Sequence, residues 1–438
     1  MARPPRNPPL NVYQNGRLVG RLRREASGAI DFTYDASWLA WPNTMPISLS
    51  LPLREDRYVG APVAAVFDNL LPDNETIRAR IAAKVGAGGV DAYSLLAALG
   101  RDCVGALQFQ PDGVDAPQVG LPEGEAVSDE QIEDILSNLA RAPLGVERDV
   151  DFRISIAGAQ EKTAFLRTAD GWKRPIGATP TTHIFKPQIG QLPNGLDLSN
   201  SVENEYFCLT LLRALGLPTA NVEMARFGVK QTLIIERFDR KWLQDGRLLR
   251  LPQEDFCQAL STPWTLKYES DGGPGIVRCL DLLSVSDEPN LDRLVFMKAI
   301  IAFWLLAATD GHAKNFSLFL FPGGGARMTP LYDVLSAQPS FAAGQIRQSQ
   351  MKLAMAAGDK RRYRVDEIAP RHFVQTGVQA GLAETATLAL LSDLVAEGPA
   401  ALDQVLKGLP KAFPPSVSRP IAAGFLERIQ TIARFLKA

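Results

Sequence analysis

The stretch "ATDGHAKNF", residues 308–316, places an aspartate, one of only three histidines, a lysine and an asparagine directly after the apolar run "AIIAFWLLAA". A site that moves a phosphoryl group could use all four. Such chemistry needs a cation on the nucleotide phosphates, oxygen ligands for magnesium, and an aspartate that accepts the attacking hydroxyl's proton. Asn315 stands five positions after Asp310, and Asp333 follows the glycine turn Gly323–Gly325. Asp310, Asn315 and Asp333 would supply hard oxygen ligands suited to Mg²⁺. An aspartate and asparagine at this spacing are also common in surface turns, so the pair alone is a weak signal. His312 either orients Asp310 or packs neutrally against Phe316. Lys314 either neutralises charge on the transferred phosphate or is simply solvated.

Further candidates lie upstream. Lys186 in "HIFKPQ" sits on an expected strand among apolar neighbours. An inward-facing lysine demands an anion, and the phosphates of ATP are one candidate. An edge-strand lysine that wards off aggregation is the other reading. The following helix carries Glu203 and Glu205, either of which could pair with Lys186. Gly158 in "SIAGAQEK" could turn backbone N–H groups towards phosphates, or could mark a plain hairpin turn. The strand "LIIERFDR" ends in Glu236, Arg237 and Phe238, where backbone groups could meet an adenine edge; an ordinary strand end is the alternative. The glycine-rich stretch "ESDGGPGI", residues 269–276, reads as a loop beside the site or as a structural turn. Strand–turn–strand, strand with lysine, helix with glutamate, strand, then helices is the order of a kinase-like ATP-binding lobe, although the His-Arg-Asp and Asp-Phe-Gly signatures are absent.

The elements that must position these groups follow from pattern. At 438 residues the chain is long enough for two or three domains. A net charge of −1 provides no global basic field for nucleic acid or membrane. Cys103, Cys208, Cys257 and Cys279 show no metal-site spacing and are expected as free thiols in a reducing compartment. "MARPPRNPPL" does not read as a signal peptide, and the longest apolar run is about half a membrane span, so a cytoplasmic protein is expected. The Asn15-Gly16 pair predicts a hairpin, and "ISLSLPLR" alternates like a strand. Helical spacing marks residues 63–85, broken at Pro72, and "AYSLLAALG". Ser128 with Gln131 forms a capping-box signal. A boundary is expected around Leu144 to Asp151. Beyond it "FRISIAGAQEKTAFLRT" reads as two strands and a turn, "SNSVENEYFCLTLLRALGL" as a helix ending at Gly216, and the remainder from Leu251 as helical.

Together "RISIAGAQEKTAFL", "THIFKPQIG", "SVENEYFCL", "ERFDR", "LPQEDFCQAL", "KYESDGGPGI", "ATDGHAKNFSLF" and "LYDVLSA" resemble the HipA serine/threonine-protein kinase toxins, and "FDNLLPDN" and "GRDCVGAL" extend the resemblance to the N-terminal region. The resemblance implies an α+β, two-lobed protein-kinase-like fold: an added N-terminal subdomain over residues 1–150, an ATP-binding part over 151–250 and an all-helical C-lobe over 251–438. It implies Asp310 as catalytic base, with His312 and Lys314 in the same loop. Asn315 and Asp333 become Mg²⁺ ligands, and Lys186 meets the ATP phosphates, with Glu205 favoured as its partner. Glu236, Arg237 and Phe238 fall at the adenine hinge. The phosphate loop maps onto Ala157, Gly158, Ala159, Gln160, Glu161 and Lys162, and an autophosphorylated serine onto Ser155. A phosphate there would eject the loop and switch the kinase off.

Members of this family are growth-arresting toxins linked to persistence. They pair with a HipB-like helix-turn-helix antitoxin, through which operator DNA is mainly contacted. The best-known target class is an aminoacyl-tRNA synthetase, glutamate-tRNA ligase in particular. The stretch "PQIGQLPNGLDL" reads as a mobile activation segment. A small-molecule or lipid phosphotransferase and a catalytically idle corepressor module are the competing readings; the presence of Lys186, Asp310, Asn315 and Asp333 favours the kinase.

Overall fold

The computed structural model describes residues 8–146, 154–158 and 160–438. Near the N-terminus, Leu10–Gln14 and Arg17–Arg24 form the hairpin that Asn15-Gly16 announces. Both turn residues have positive φ, +46° and +80°, which matches the twist of the flanking strands. The hairpin lies within a five-stranded antiparallel sheet whose other strands are Tyr58–Val59, Ile30–Tyr34 and Leu107–Pro111. Helices Ala61–Asp68 and Ala92–Leu99 cover it over a core that includes Phe32, Trp38, Phe67 and Phe109. The expected strand in "ISLSLPLR" does not form. Its serines bind elsewhere: Ser48 donates to Glu254 and Ser50 to the Gln258 carbonyl. Side-chain bonding of this kind competes with a strand ladder.

A second, six-stranded antiparallel sheet runs in the order Val222–Phe227, Lys230–Glu236, His183–Pro187, Thr163–Thr168, Gly171–Pro175 and Gly124–Ala126. Its last strand, and the helix Asp129–Ser137 capped by Ser128 and Gln131, come from before the expected boundary at Leu144 to Asp151. Ile132 and Leu136 of that helix pack with Phe165, Phe185 and Ile234 of the sheet, so this stretch belongs with the second sheet. Part of the boundary itself lies outside the described residues. Of the two strands expected around Gly158, Thr163–Thr168 forms; the first begins outside the described residues, and among the described ones Ile154 and Gly158 make single bridges to Asp102 and Pro72. The helix Ser201–Ala214 crosses the sheet, and Gly216 follows it at φ +77°.

The remaining chain is mainly helical, with a core around Pro289–Leu306, Glu384–Gly408 and Pro415–Lys437. It is not all-helical. Gln253–Asp255, Ser317–Leu320 and Ala326–Met328 form a three-stranded sheet, and Lys352–Ala357 pairs with Arg362–Arg364. The first of these sheets is what holds the 308–316 loop, because Ser317 opens a strand immediately after it. The activation-segment stretch closes into a small hairpin, Gly190–Gln191 with Asp197–Leu198. All four cysteines are free and buried. Among the described residues no helix is long and apolar enough to cross a membrane.

Candidate active site

The sequence candidates converge on a cleft between the second sheet and the C-lobe. Lys186, Lys162, Gly158, Ile184, Ile235, Lys314, Asn315, Tyr332 and Asp333 stand on its wall, and the N-terminal subdomain contributes Asn69, Leu70 and Asp73. The cleft encloses about 870 Å³, counting its open mouth.

Lys186 is buried, and its Nζ lies 2.8 Å from Glu205 Oε1 and 2.8 Å from Asp333 Oδ1. The edge-strand reading therefore falls: the strand His183–Pro187 lies inside the sheet, with neighbours on both sides. Glu205 is the partner. Glu203 instead accepts a hydrogen bond from Gln188 at 2.6 Å. Burial opposes the lysine's charge, but the two carboxylates outweigh it and hold its pKa above the usual range. Asp333 adopts a left-handed φ of +59°, uncommon outside glycine. Burial would raise its pKa, yet Lys186 and Lys162 keep it well below the usual carboxylate range.

Lys162 is buried with its Nζ 2.5 Å from the Ala157 carbonyl. Burial, and then the neighbouring Lys186 charge, lower its pKa to about 8. Gly158 has φ +105°, a backbone conformation that residues with a side chain rarely adopt, so a substitution at this turn is strained. Gln160 donates to the Pro187 carbonyl, and Glu161 pairs with Arg80. Ala159 lies outside the described residues. Ser155 is fully buried, donating to the Leu70 carbonyl at 2.8 Å.

In the 308–316 loop, the Asn315 amide donates to the Asp310 carbonyl at 2.8 Å, which ties the loop's two ends together. Because that bond uses the amide nitrogen, the amide oxygen is the atom left to serve a metal. With Asp333 it makes a pair of hard oxygen donors, which fits Mg²⁺, an ion that keeps several waters. No group of three or more His, Cys, Asp or Glu that could hold a metal occurs among the described residues. Asp310 itself is beside the cleft rather than on its wall, with a side chain 56% exposed. Burial of its surroundings pushes its pKa up, the Tyr268 hydrogen bond opposes this, and Asp333 adds to it.

His312 is buried, and its Nε2 stands 3.9 Å from Asp310 Oδ1, beyond a direct hydrogen bond. Its ring meets Tyr268 edge-on at 4.9 Å, rather than the expected Phe316. Burial, then Lys267, lower its pKa to about 3, so it is neutral. Lys314 is not solvated. Its Nζ lies 2.9 Å from Asp255, 3.6 Å from Asp73 and 2.5 Å from the Asn69 carbonyl. Asp73, Asp255 and Tyr268 are site residues that sequence reasoning missed. "FDNLLPDN", "LPQEDFCQAL" and "KYESDGGPGI" carried them, but nothing in their spacing pointed to the cleft.

The hinge candidates divide. Glu236, Arg237 and Phe238 all line the cleft, but the Arg237 guanidinium turns into a buried network with Asp102 and Asp239. Arg240 and Arg250 complete it on Asp102. The Glu236 and Arg237 N–H groups donate to the carbonyls of Asn221 and Thr182, so the sheet uses both. Arg237 thus joins the N-terminal subdomain to the hinge, and its side chain is unavailable to a nucleotide.

A lysine clamped by a helix glutamate, an aspartate and asparagine five apart, and a third carboxylate facing the same cleft define a two-lobed protein of protein-kinase-like fold. Family models agree in detail: the HipA-like C-terminal domain matches residues 154–402, and the HipA N-terminal domain matches residues 10–110. The chain belongs to the HipA family. Y4mE of Sinorhizobium fredii, named as a kinase, is 37% identical over 331 residues, spanning 75% of this chain and 77% of that protein. The serine/threonine-protein kinase toxin HipA of Shewanella oneidensis is 27% identical, spanning 80% of this chain and 79% of that one. A solved complex of Shewanella oneidensis HipA with HipB and operator DNA matches with a TM-score of 0.79 at 24% identity. That match covers 98% of this chain and 97% of that one, and it establishes the shared fold.

Proposed function

We propose that this chain is a serine/threonine-protein kinase toxin that uses ATP and Mg²⁺. The observation that carries the reading is the meeting of Lys186, Glu205 and Asp333 on one cleft with the Asp310–Asn315 loop beside it. Lys186 and Lys162 bind the nucleotide's phosphates, which replace contacts now made to Asp333 and Ala157. Asn315 and Asp333 hold Mg²⁺, which supplies charge neutralisation on the phosphates. The acceptor serine's oxygen bonds to the γ-phosphorus as the bond to the β–γ bridging oxygen breaks and ADP departs. The hydroxyl proton passes to the Asp310 carboxylate.

Ser155 is the self-modified residue in this reading. A phosphate cannot be accommodated where its hydroxyl is fully buried, so phosphorylation requires the 155–162 segment to leave the cleft. The functional parts in this reading are a docking N-terminal subdomain, an ATP-binding part that also takes in the strand Gly124–Ala126 and the helix Asp129–Ser137, and a C-lobe over 251–438. The physiological acceptor is a serine of a translation protein, glutamate-tRNA ligase by family analogy. A HipB-like antitoxin restrains the toxin in the cytoplasm and carries the pair onto operator DNA; unrestrained, the toxin arrests growth and leads to persistence.

Intact mass with and without Mg²⁺-ATP tests the core of this. Wild type should gain one phosphate, and Asp310→Gln and Ser155→Ala should gain none. If all three stay unmodified while binding ATP, a small-molecule phosphotransferase or an idle corepressor becomes the better description.

A further inference from the structure

Three consecutive side chains, Lys267, Tyr268 and the first residue of the glycine-rich loop, Glu269, reach three separate parts of the molecule. Lys267 Nζ pairs with Asp73 of the N-terminal subdomain at 3.0 Å. Tyr268 donates its hydroxyl to Asp310 Oδ1 at 2.5 Å. Glu269 accepts from the Ala356 N–H at 2.6 Å and pairs with Arg361 at 3.1 Å, both on the 352–364 hairpin. The glycines explain how so short a segment makes all three contacts. A Cβ on Gly273 would lie 1.9 Å from the Leu266 carbonyl, and one on Gly275 would lie 2.5 Å from the Glu269 carboxyl. The loop therefore folds back flat against the segment it supports, closed by the Gly273 N–H to the Tyr268 carbonyl at 2.9 Å.

Asp310 otherwise lacks support. Its side chain is largely exposed, and among the described residues the hydrogen bond to its carboxylate comes from Tyr268. His312, on its own loop, is too distant for a direct bond. The charged groups Lys267, Asp73 and Asp333 act on it through space. Tyr268 is well suited as a donor, since burial and the adjacent Asp310 both raise its phenol pKa and keep it protonated.

We propose that Tyr268 is the positioning residue of Asp310, holding one carboxylate oxygen so that the other faces the acceptor hydroxyl, with Lys267 and Glu269 as the anchors that fix the tyrosine. This rests on the reading of Asp310 as catalytic base. Tyr268 keeps its own proton throughout; the acceptor's proton goes to the second oxygen of Asp310. Because Lys267 binds Asp73, the orientation of the base depends on how the N-terminal subdomain is docked.

The test uses the full chain, Mg²⁺-ATP and the rate of self-phosphorylation. Tyr268→Phe keeps the ring against His312 and removes only the hydroxyl. It should lower the rate at saturating ATP about 10- to 100-fold, the scale of a misplaced catalytic group, with the KM for ATP within about two-fold. Lys267→Met should lower the rate in the same direction by a smaller factor. In an Asp310→Asn background, Tyr268→Phe should change the residual rate little, because the two act as a unit. A wild-type rate in Tyr268→Phe, or an equal fold-loss with and without Asp310, overturns the proposal. An Asp310→Asn variant as fast as wild type instead overturns the assignment of the base, and that result is separately visible. Melting curves accompany each variant, and an unfolded Lys267→Met leaves the decision to Tyr268→Phe and its double variant.

Discussion

Lys186 and Asp333 stand 147 positions apart in sequence, yet their charged atoms meet at 2.8 Å, with Glu205 at the same distance on the lysine's other side. The buried cation has two carboxylates to satisfy, so its removal costs both stability and function. Lys186→Met should abolish phosphate incorporation and destabilise the fold by roughly 3–5 kcal/mol, the cost of leaving a buried charge unpaired. Adding Glu205→Gln should recover part of the stability and none of the activity. Chemical denaturation and intact mass together read both effects.

Ser155 offers a cleaner separation. Ser155→Ala removes one buried hydrogen bond to the Leu70 carbonyl and should cost about 1–3 kcal/mol while leaving ATP binding in place. Ser155→Asp places a charge at a fully buried position, so the 155–162 segment must leave. Its ATP affinity should fall at least tenfold more than that of the alanine variant, as read by nucleotide titration. Equal affinities would remove the basis for a phosphate-driven switch.

Glu254 predicts a pH effect. Its two oxygens accept from the Ser48 hydroxyl at 2.5 Å and the Leu49 N–H at 2.8 Å, joining the N-terminal subdomain to the C-lobe. Burial raises its pKa to about 8. The folded state therefore binds a proton that the unfolded chain releases near the ordinary value of about 4.3. Its stabilising contribution is full below that value and is lost as the pH rises to about 8. Glu254→Gln, neutral at every pH, should flatten this slope. The stability difference between wild type and variant should shift on the order of a few kcal/mol between pH 5 and pH 8. Parallel slopes in denaturant midpoints would assign the pH dependence elsewhere.

Arg237 separates architecture from nucleotide contact. It holds Asp239 at 2.8 Å and Asp102 at 3.3 Å in a buried network. Arg237→Met should lower the melting temperature through a loss of about 3–5 kcal/mol. The variant that remains folded should bind ATP within a few-fold of wild type. A selective loss of ATP affinity without a melting shift would return Arg237 to the nucleotide site.

The sequence by itself determined what short-range chemistry dictates. The Asn15-Gly16 turn, the Ser128–Gln131 capping box and the buried helix before Asp310 depend on neighbours within a few positions, so pattern suffices to read them. The Asp310–Asn315 tie is equally local. Tertiary structure decided the rest. The sequence leans to Glu205 over Glu203 without deciding between them; two helical positions are about 200° apart, and the fold turns Glu205 to Lys186 and Glu203 to Gln188. Lys314 is open in sequence between a phosphate contact and a solvated lysine until the fold brings Asp73 and Asp255 to it from distant segments. Arg237 sits at the hinge in sequence, yet the docking of the N-terminal subdomain turns it towards Asp102. Tyr268 carried no signal because its partner lies 42 positions away. Periodicity fixes which face a side chain occupies. Its charge state and its partner depend on what the packed chain brings against that face and how fully water is excluded.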